Sequence, residues 1–504
     1  MTQSPFSGGR FRRAIRFFVV GRAAQAIATL IVTLMALRLL DPVGYGVYMI
    51  LWGLVELGSP LTSLGLLPAV QRFLPELAER GTPQRLRRFV AQLLVVRISL
   101  ILVGALAVVL AWPHLSAWMG SADTRPSVAW LGAGMLTCVL VSRFSAEMLE
   151  CLLEQRYAQT ARALLPFLRG VGFLALWASG HASLLTLLSV DLLAAISAMT
   201  LGEVWLAKSV RAQRPDGEFQ VSRQELVQFV WHMSGAQLLN AVSSVGTLRL
   251  VVARLLGVEV AGQFSFLQQL ITIANRYLPS VMLANMVRPM LIARHSAGRV
   301  DEVARGFGLL WKSNVALVWP GVPLMLLAGD SIIHLASGGR VRDAGMAMAL
   351  MVVGLAARGQ HQIVNMALQV FRYTGLVRAE SLLSLLGPAL LFAFAGQGLV
   401  GMALGVCIGL LLRGAVSLAL LQRQQFRILL DWPGAARLMA ALLLATVAAY
   451  GVQYRFGPWF AAAALLLLYG LGAWLSRPLH AQEFSLIERA AGRRARWLAG
   501  RARG

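Results

Sequence analysis

Charged side chains inside long apolar stretches are the residues of this chain best placed to do chemistry. A charged group at the centre of a membrane span costs about 2.5–3.5 kcal/mol, so each one that is present calls for an explanation. The charged residues farthest from the ends of their stretches are Arg22, Arg97, Arg143, Arg276, Arg358, Glu56, Glu147 and Asp191. Arginines outnumber acids in this set, so a cavity lined by these side chains would be net positive. Because the planar guanidinium matches phosphate oxygens bidentately, the set predicts an anionic ligand.

Several of these residues belong to polar stripes with helical spacing. Two stripes share spacings of four, three and four residues: Arg143, Glu147, Glu150 and Glu154 in one, Arg358, Gln362, Asn365 and Gln369 in the other. Such spacing places every member of a stripe on one face of a helix. The predicted substrate-binding residues are Arg22, Arg143, Arg276, Arg358, Gln362, Asn365 and Asn240. In the competing interpretation the amides only join helices to one another, and Arg143 and Glu147 neutralise each other.

The acids in the apolar stretches are candidates for coupling to an ion gradient. Glu56 lies in the middle of the second stretch and is the first candidate carrier of a proton or sodium ion, with Asp191 as the second. The alternative is structural: Glu56 pairs with Arg22 or another arginine and does not titrate. Charged residues nearer the ends of their stretches are expected to reach the membrane interface instead, namely Arg169, Arg249, Glu154 and Arg413.

Composition places the chain among polytopic membrane proteins. Of its 504 residues, 58% are hydrophobic and 13% are charged, and the mean hydropathy is +0.68. These values exclude a soluble protein. The net charge of +24 comes from arginines concentrated in alternate loops, which indicates cytoplasmic loops rather than nucleic-acid binding. The sequence has no Walker loop, catalytic Ser/His/Asp cluster, disulfide framework or metal-ligand spacing, so it predicts no enzyme, no cofactor and no metal site.

An internal duplication with an offset of 216 residues organises the chain. The offset aligns Arg38-Leu39-Leu40 with Arg254-Leu255-Leu256, and Arg156-Tyr157 with Arg372-Tyr373. The apolar stretches predict an all-α polytopic membrane protein of about 14 transmembrane helices, as two parallel six-helix repeats plus two C-terminal helices. The predicted segments are an N-terminal six-helix bundle at 1–207, a cytoplasmic linker at 208–225, a C-terminal six-helix bundle at 226–421, two additional transmembrane helices at 422–476 and a basic cytoplasmic tail at 477–504. Both termini are predicted to be cytoplasmic.

The connection between the first two predicted spans carries the clearest turn signal. Asp41-Pro42 followed by Gly44-Tyr45-Gly46 separates a first span at 14–40 from a second at 46–68. The arginine-rich segment after the second span, which begins at Arg72, is expected to be a cytoplasmic loop.

The opening of the chain resembles a known family of transporters. The segment from Arg38 to Tyr48, then Gly65-Leu66 and Arg72-Phe73-Leu74-Pro75-Glu76, resembles the multidrug/oligosaccharidyl-lipid/polysaccharide exporter superfamily, and within it the Wzx-type polysaccharide flippases. The resemblance implies two six-helix bundles around a central cavity in the bacterial cytoplasmic (inner) membrane. It implies alternating access that moves undecaprenyl-diphosphate-linked oligosaccharide outward for O-antigen, capsule or exopolysaccharide synthesis. The implied partners are the lipid-linked oligosaccharide and membrane lipids, with a polysaccharide polymerase and a chain-length regulator as candidates.

The sequence leaves three other functions open. Multidrug exporters of the same fold select cations and favour an acid-rich cavity, against the arginine excess here. Lipid II flippases share the fold and a cationic cavity, but their usual opening motif differs from Asp41–Gly46. A membrane glycan polymerase or ligase would carry a large periplasmic loop with basic catalytic residues. The longest outside loops, at 113–127 and 329–343, are short, although Arg340 and Arg342 lie in the second.

Overall fold

The structure is a computed structural model that describes residues 8–120, 125–215, 217–282, 291, 300–370, 382–423 and 431–476. Within these ranges, the side chains of residues 8–20, 22, 236, 282, 369 and 370 are outside the description. The predicted basic tail at 477–504 and the side chains of Arg22 and Gln369 therefore lie outside what the structure describes.

The described residues form α-helices and two short 3₁₀ turns, with no strand among them. The helices are α1 (Gly8–Leu39), α2 (Pro42–Ser63), α3 (Leu66–Arg80), α4 (Pro83–Trp118), α5 (Pro126–Cys151), α6 (Gln155–Ser179), α7 (Leu184–Ala212), α8 (Arg223–Val242), α9 (Val245–Leu256), α10 (Val258–Arg276), α11 (Pro279–Met282), α12 (Val300–Val318), α13 (Gly321–Ser337), α14 (Gly345–Val370), α15 (Leu386–Phe394), α16 (Gly398–Arg423), α17 (Trp432–Phe456) and α18 (Pro458–Leu475). The predicted all-α class is confirmed.

Length and hydropathy identify the chain as a multi-pass membrane protein. Nine segments in the described part of the chain are long and apolar enough to cross a membrane, and the bent pair α2–α3 makes a tenth. They include four segments of the first half of the chain, the α8–α9, α12–α13 and α15–α16 pairs, and the last two helices. Large apolar side chains such as Leu444 and Leu467 are more than 70% exposed, as expected for groups that contact lipid tails.

The predicted turn at Asp41 is a helix cap. Asp41 is the N-cap of α2 and its carboxylate accepts a hydrogen bond from the Gly44 backbone N–H at 3.1 Å. Pro42 occupies the first helical position, where its missing N–H removes no helical hydrogen bond. The second helix therefore begins four residues before the predicted Gly46.

The second predicted span is broken, and the expected loop at Arg72 is wrong. α2 ends at Ser63, Leu64 and Gly65 have φ of 39° and 81°, and the chain re-enters a helix, α3, at an angle of 60°. Arg72 lies within α3. Helix continues here because Leu66, Val70, Phe73 and other apolar residues recur at helical spacing and are buried.

Side chains of α8 support the backbone at this break. The Gln237 Oε1 accepts a hydrogen bond from the Gly65 N–H at 3.0 Å, and the Ser234 hydroxyl donates to the Leu64 carbonyl at 2.7 Å. A Cβ on Gly65 would come within 2.4 Å of the Val230 carbonyl oxygen. Glycine is thus required at position 65 both by its positive φ and by the close approach of α8.

By internal contacts the chain divides into a first unit, Met1–Phe266, and a second unit, Leu267–Gly504. The 216-residue offset of the sequence repeat also relates helix starts, since α2 begins at Pro42 and α10 at Val258. The boundaries of the two six-helix bundles at 1–207 and 226–421 stay a prediction.

The helices that follow the predicted repeats pack within the second unit. Lys312 of α12, which is 2% exposed, forms an ion pair with Asp431, the N-cap residue of α17. The Gln453 amide of α17 donates to the Leu327 carbonyl at 3.0 Å, and the Tyr469 hydroxyl of α18 donates to the Ala316 carbonyl at 2.9 Å. These contacts hold α17 and α18 against α12 and α13.

Candidate functional site

Asp191, the second candidate for ion coupling, is the centre of a buried network in the first unit. Its carboxylate is fully buried and accepts hydrogen bonds from the Tyr48 hydroxyl at 2.8 Å, the Trp52 indole N–H at 3.0 Å and the Arg169 Nε at 2.8 Å. The Arg169 guanidinium also donates to the Tyr48 hydroxyl and lies 4.2 Å from the Trp52 ring centre. The network joins α2, α6 and α7 through three donors to one carboxylate.

The expectation that Arg169 and Arg249 reach the membrane interface is wrong. Arg169 is 8% exposed and Arg249 is 2% exposed. Arg169 is held inside by the Asp191 carboxylate, whose charge offsets the cost of burying the guanidinium. Arg249 of α9 lies against α2, where its Nη1 is 3.5 Å from the Met49 carbonyl oxygen and its charge interacts with that of Glu56.

Glu56 and Arg143, predicted for different roles, form an ion pair. The Arg143 Nη2 and the Glu56 Oε1 are 2.8 Å apart, and the two side chains are 40% and 39% exposed. Glu56 is therefore paired with an arginine, as the structural alternative expected, but the pair is half open to its surroundings. A charged pair this exposed in the middle of a span is tolerated next to water and is costly next to lipid.

Two acidic residues of the α5 stripe, Glu147 and Glu150, pair with an arginine of α6. Arg162 Nη2 lies 2.5 Å from the Glu147 Oε1 and 3.2 Å from the Glu150 Oε2. The buried Gln159 amide donates to the other oxygen of Glu150 at 2.8 Å. Glu147 thus pairs with Arg162 instead of Arg143. Sequence reasoning missed Arg162 because its partners lie on another helix.

Arg97, another buried arginine of the first unit, has no ion pair within the described part of the chain. It is 4% exposed, donates to the Ser59 carbonyl at 3.2 Å and lies 5.5 Å from the Phe144 ring centre. Its Nε and Nη1 have no hydrogen-bond acceptor within the described part of the chain.

The second unit contains a like-charged cluster on α14 and α16. Arg358 lies at the middle of α14, partly exposed, and its charge interacts with that of Arg413 on α16. The imidazole of His361 is buried near both arginines. Neither α14 nor α16 contains an acidic residue. Among the described residues no carboxylate acts on Arg358.

Polar side chains from two neighbouring helices reach the Arg358 face of α14. The Ser280 hydroxyl donates to the Gln362 Oε1 at 3.4 Å, and the Ser280 backbone N–H donates to the Asn314 Oδ1 at 3.3 Å. Asn314 of α12 is 4% exposed, and a Cβ on Gly359 would lie 3.0 Å from its Nδ2. The structure thus connects the predicted Gln362 with Asn314 and Ser280, neither of which sequence reasoning selected.

The other predicted residues are distributed over the two units. Arg276 at the end of α10 and Asn365 on α14 are partly exposed, and Asn240 on α8 is exposed. Among the described residues no group of three or more His, Cys, Asp or Glu side chains is arranged to hold a metal ion.

No protein-family model matches the chain, and no curated protein matches it. Solved structures do. The lipid II flippase MurJ in an inward closed conformation has a TM-score of 0.71 and 12% identity, covering 91% of this chain and 98% of MurJ.

Two further structures show the same fold. An inward-facing multidrug resistance MATE family transporter of the MOP superfamily has a TM-score of 0.61 and 15% identity, covering 79% of this chain and 94% of the transporter. A MOP superfamily transporter from Pyrococcus furiosus, described by the reverse polarity of its binding pocket, has a TM-score of 0.50 and 14% identity. The match covers 82% of this chain and 94% of that transporter. The chain therefore has the fold of the MOP-superfamily transporters.

Proposed function

We propose that this chain is a flippase that moves undecaprenyl-diphosphate-linked oligosaccharide across the bacterial cytoplasmic membrane by alternating access. The observation that carries the proposal is Arg358: a guanidinium in the middle of α14, beside Arg413 and His361, with no carboxylate acting on it in the described chain. The fold supports a transporter, and the similarity to a lipid II flippase supports a lipid-linked substrate.

An anionic headgroup would offset the unfavourable free energy of placing these positive charges together in the membrane. An uncompensated charge at mid-span is unfavourable by about 2.5–3.5 kcal/mol, and a second arginine nearby adds repulsion. A diphosphate supplies negative charge and several acceptor oxygens, which arginine binds through charge-assisted, often bidentate hydrogen bonds. A cationic drug would gain nothing from this site, so the cluster favours the flippase over a multidrug exporter.

The oligosaccharide specificity rests on the resemblance of the opening segment to the Wzx-type flippases. The same resemblance supports surface polysaccharide synthesis as the process served, with a polymerase and a chain-length regulator as protein partners. The alternation of arginine-rich loops supports cytoplasmic termini and a cytoplasmic linker at 208–225.

Glu56 offers a means of coupling to an ion gradient. Its carboxylate neutralises Arg143 in a half-exposed pair. A proton or sodium ion bound by Glu56 would weaken this pair and leave the Arg143 guanidinium able to bind an anion. Inward movement of the cation and outward movement of the anion would both be favoured by an inside-negative potential, at about 2.3 kcal/mol per charge per 100 mV.

A transport assay with a defined lipid tests the proposal. Proteoliposomes would carry undecaprenyl-diphosphate-linked N-acetylglucosamine, with a membrane-impermeant lectin reporting the amount in the outer leaflet. We expect Arg358→Ala to abolish transport and Arg358→Lys to restore little, because an ammonium lacks the guanidinium fork. Arg254→Ala, at an exposed arginine of α9, is the matched control and should transport at the wild-type rate. Wild-type transport by Arg358→Ala would refute the proposed role of this site.

A further inference from the structure

The side chain of Asn314 holds a buried hydrogen-bond donor that the fold leaves unused. Asn314 is 4% exposed, and its Nδ2 has no acceptor within the described residues. The orientation of the amide is set by its other end: the Ser280 backbone N–H can only donate, so the atom facing it at 3.3 Å is the Oδ1. The Nδ2 therefore points away from Ser280.

The neighbours of Asn314 place this donor beside the Arg358 face of α14. A Cβ on Gly359 would come 3.0 Å from the Nδ2, so glycine at 359 lets the amide lie directly against the α14 backbone. On a helix, Gln362 is about 40° from Arg358 and about 60° from Gly359, so it lies between them. Gln362 also accepts a hydrogen bond from the Ser280 hydroxyl at 3.4 Å.

Two kinds of ligand chemistry are therefore adjacent. Arg358 is a fixed positive charge suited to phosphate. Asn314, Gln362 and Ser280 are neutral, and their amides and hydroxyl both donate and accept hydrogen bonds. Neutral groups of this kind match sugar hydroxyls, which also donate and accept, better than they match a diphosphate.

We propose that Asn314, with Gln362 and Ser280, forms a sugar-binding subsite next to the diphosphate site at Arg358, and that the Asn314 Nδ2 donates to an oxygen of the glycan. The inference rests on the proposed function and adds to it a division of labour within the second unit. An amide donor buried without an acceptor is costly, and a bound sugar oxygen supplies the acceptor.

Binding of two lipids that differ only in the sugar tests the subsite. The full-length protein in lipid nanodiscs would be titrated with undecaprenyl diphosphate and with undecaprenyl-diphosphate-linked N-acetylglucosamine. Wild type should bind the sugar-bearing lipid about tenfold more tightly, as expected for one or two well-made hydrogen bonds. Asn314→Leu and Gln362→Leu should lose this preference and keep the affinity for undecaprenyl diphosphate within twofold.

The two variants serve different purposes. Gln362→Leu removes a neutral, partly exposed amide of the subsite and leaves both partners of the Asn314–Ser280 hydrogen bond in place, so it reports on the subsite if Asn314→Leu does not fold. Gln453→Leu is the matched control, because Gln453 is a neutral amide of the same unit that binds the Leu327 carbonyl. It should keep both affinities.

The outcomes separate this inference from the proposed function. Equal binding of both lipids by wild type, or an undiminished preference in Asn314→Leu or Gln362→Leu, would overturn the sugar subsite and leave the proposed function standing. Arg358→Ala should lower the affinity for both lipids at least tenfold. If it lowers neither affinity, the diphosphate site and the proposed function fail, regardless of the result for the Asn314 variant.

Discussion

The first unit surrounds most of its deep charges with opposite charges, whereas the second unit places Arg358 on a helix without any acid. Asp191 compensates Arg169, Glu147 and Glu150 compensate Arg162, and Glu56 compensates Arg143. The contrast separates two uses of charge in one membrane protein. Compensated pairs hold helices together, and under the proposed function Arg358 binds an anion.

The largest effect is expected at the buried pair of Asp191 and Arg169. Removing one partner leaves a buried charge without compensation, which typically costs about 3–5 kcal/mol. Arg169→Ala and Asp191→Asn should therefore lower the melting temperature of the detergent-solubilised protein by many degrees. Arg156→Ala, at an exposed arginine of the same helix, is the control and should leave it nearly unchanged. If Arg169→Ala melts at the wild-type temperature, the network does not stabilise the fold.

A smaller effect on stability, with a larger one on coupling, is expected at Glu56. Since the Glu56–Arg143 pair is about 40% exposed, Glu56→Gln should change stability by no more than about 1 kcal/mol. The amide mimics a permanently protonated carboxyl, so transport should lose its dependence on pH while substrate binding persists. Proteoliposome transport measured across a pH series checks this. An unchanged pH dependence would leave Glu56 as a structural partner of Arg143 only.

The smallest effect is expected at the surface pair of Arg72 and Glu225. These side chains are 56% and 50% exposed and 3.5 Å apart, and Arg72 also lies 5.1 Å from the centres of the Phe73 and Phe229 rings. Glu225→Gln should therefore change the unfolding free energy by less than about 0.5 kcal/mol. Thermal unfolding at low and high salt measures it. A loss of several degrees would show that exposed pairs also hold this fold together.

Sequence patterns predicted the features that depend on local residue types. The Asp41-Pro42 pair predicted the start of α2 to within a few residues, because a cap and a proline act on their own turn. Hydrophobic length predicted the all-α class. The polar spacing on α14 predicted that Arg358 and Gln362 share a face.

Features set by distant residues were not predictable in the same way. The break at Leu64-Gly65 lies inside a stretch whose length predicts one unbroken span, and it is completed by Ser234 and Gln237 of α8. Glu56 and Arg143 are separated by 87 residues, so their spacing in sequence carries no sign of the pair. Asn314 is one of several polar residues of α12, and only its burial and its contact with Ser280 distinguish it.

The melting temperature of Arg358→Leu, with and without undecaprenyl diphosphate, tests the central claim most directly. A ligand that binds the folded state raises the melting temperature, by an amount that grows with the logarithm of its concentration divided by its Kd. The account predicts that Arg358→Leu melts at or above the wild-type temperature without ligand and gains nothing from undecaprenyl diphosphate. Arg162→Leu, which removes a compensated arginine, should melt lower. A lower melting temperature for Arg358→Leu together with a wild-type gain from the lipid would contradict the account.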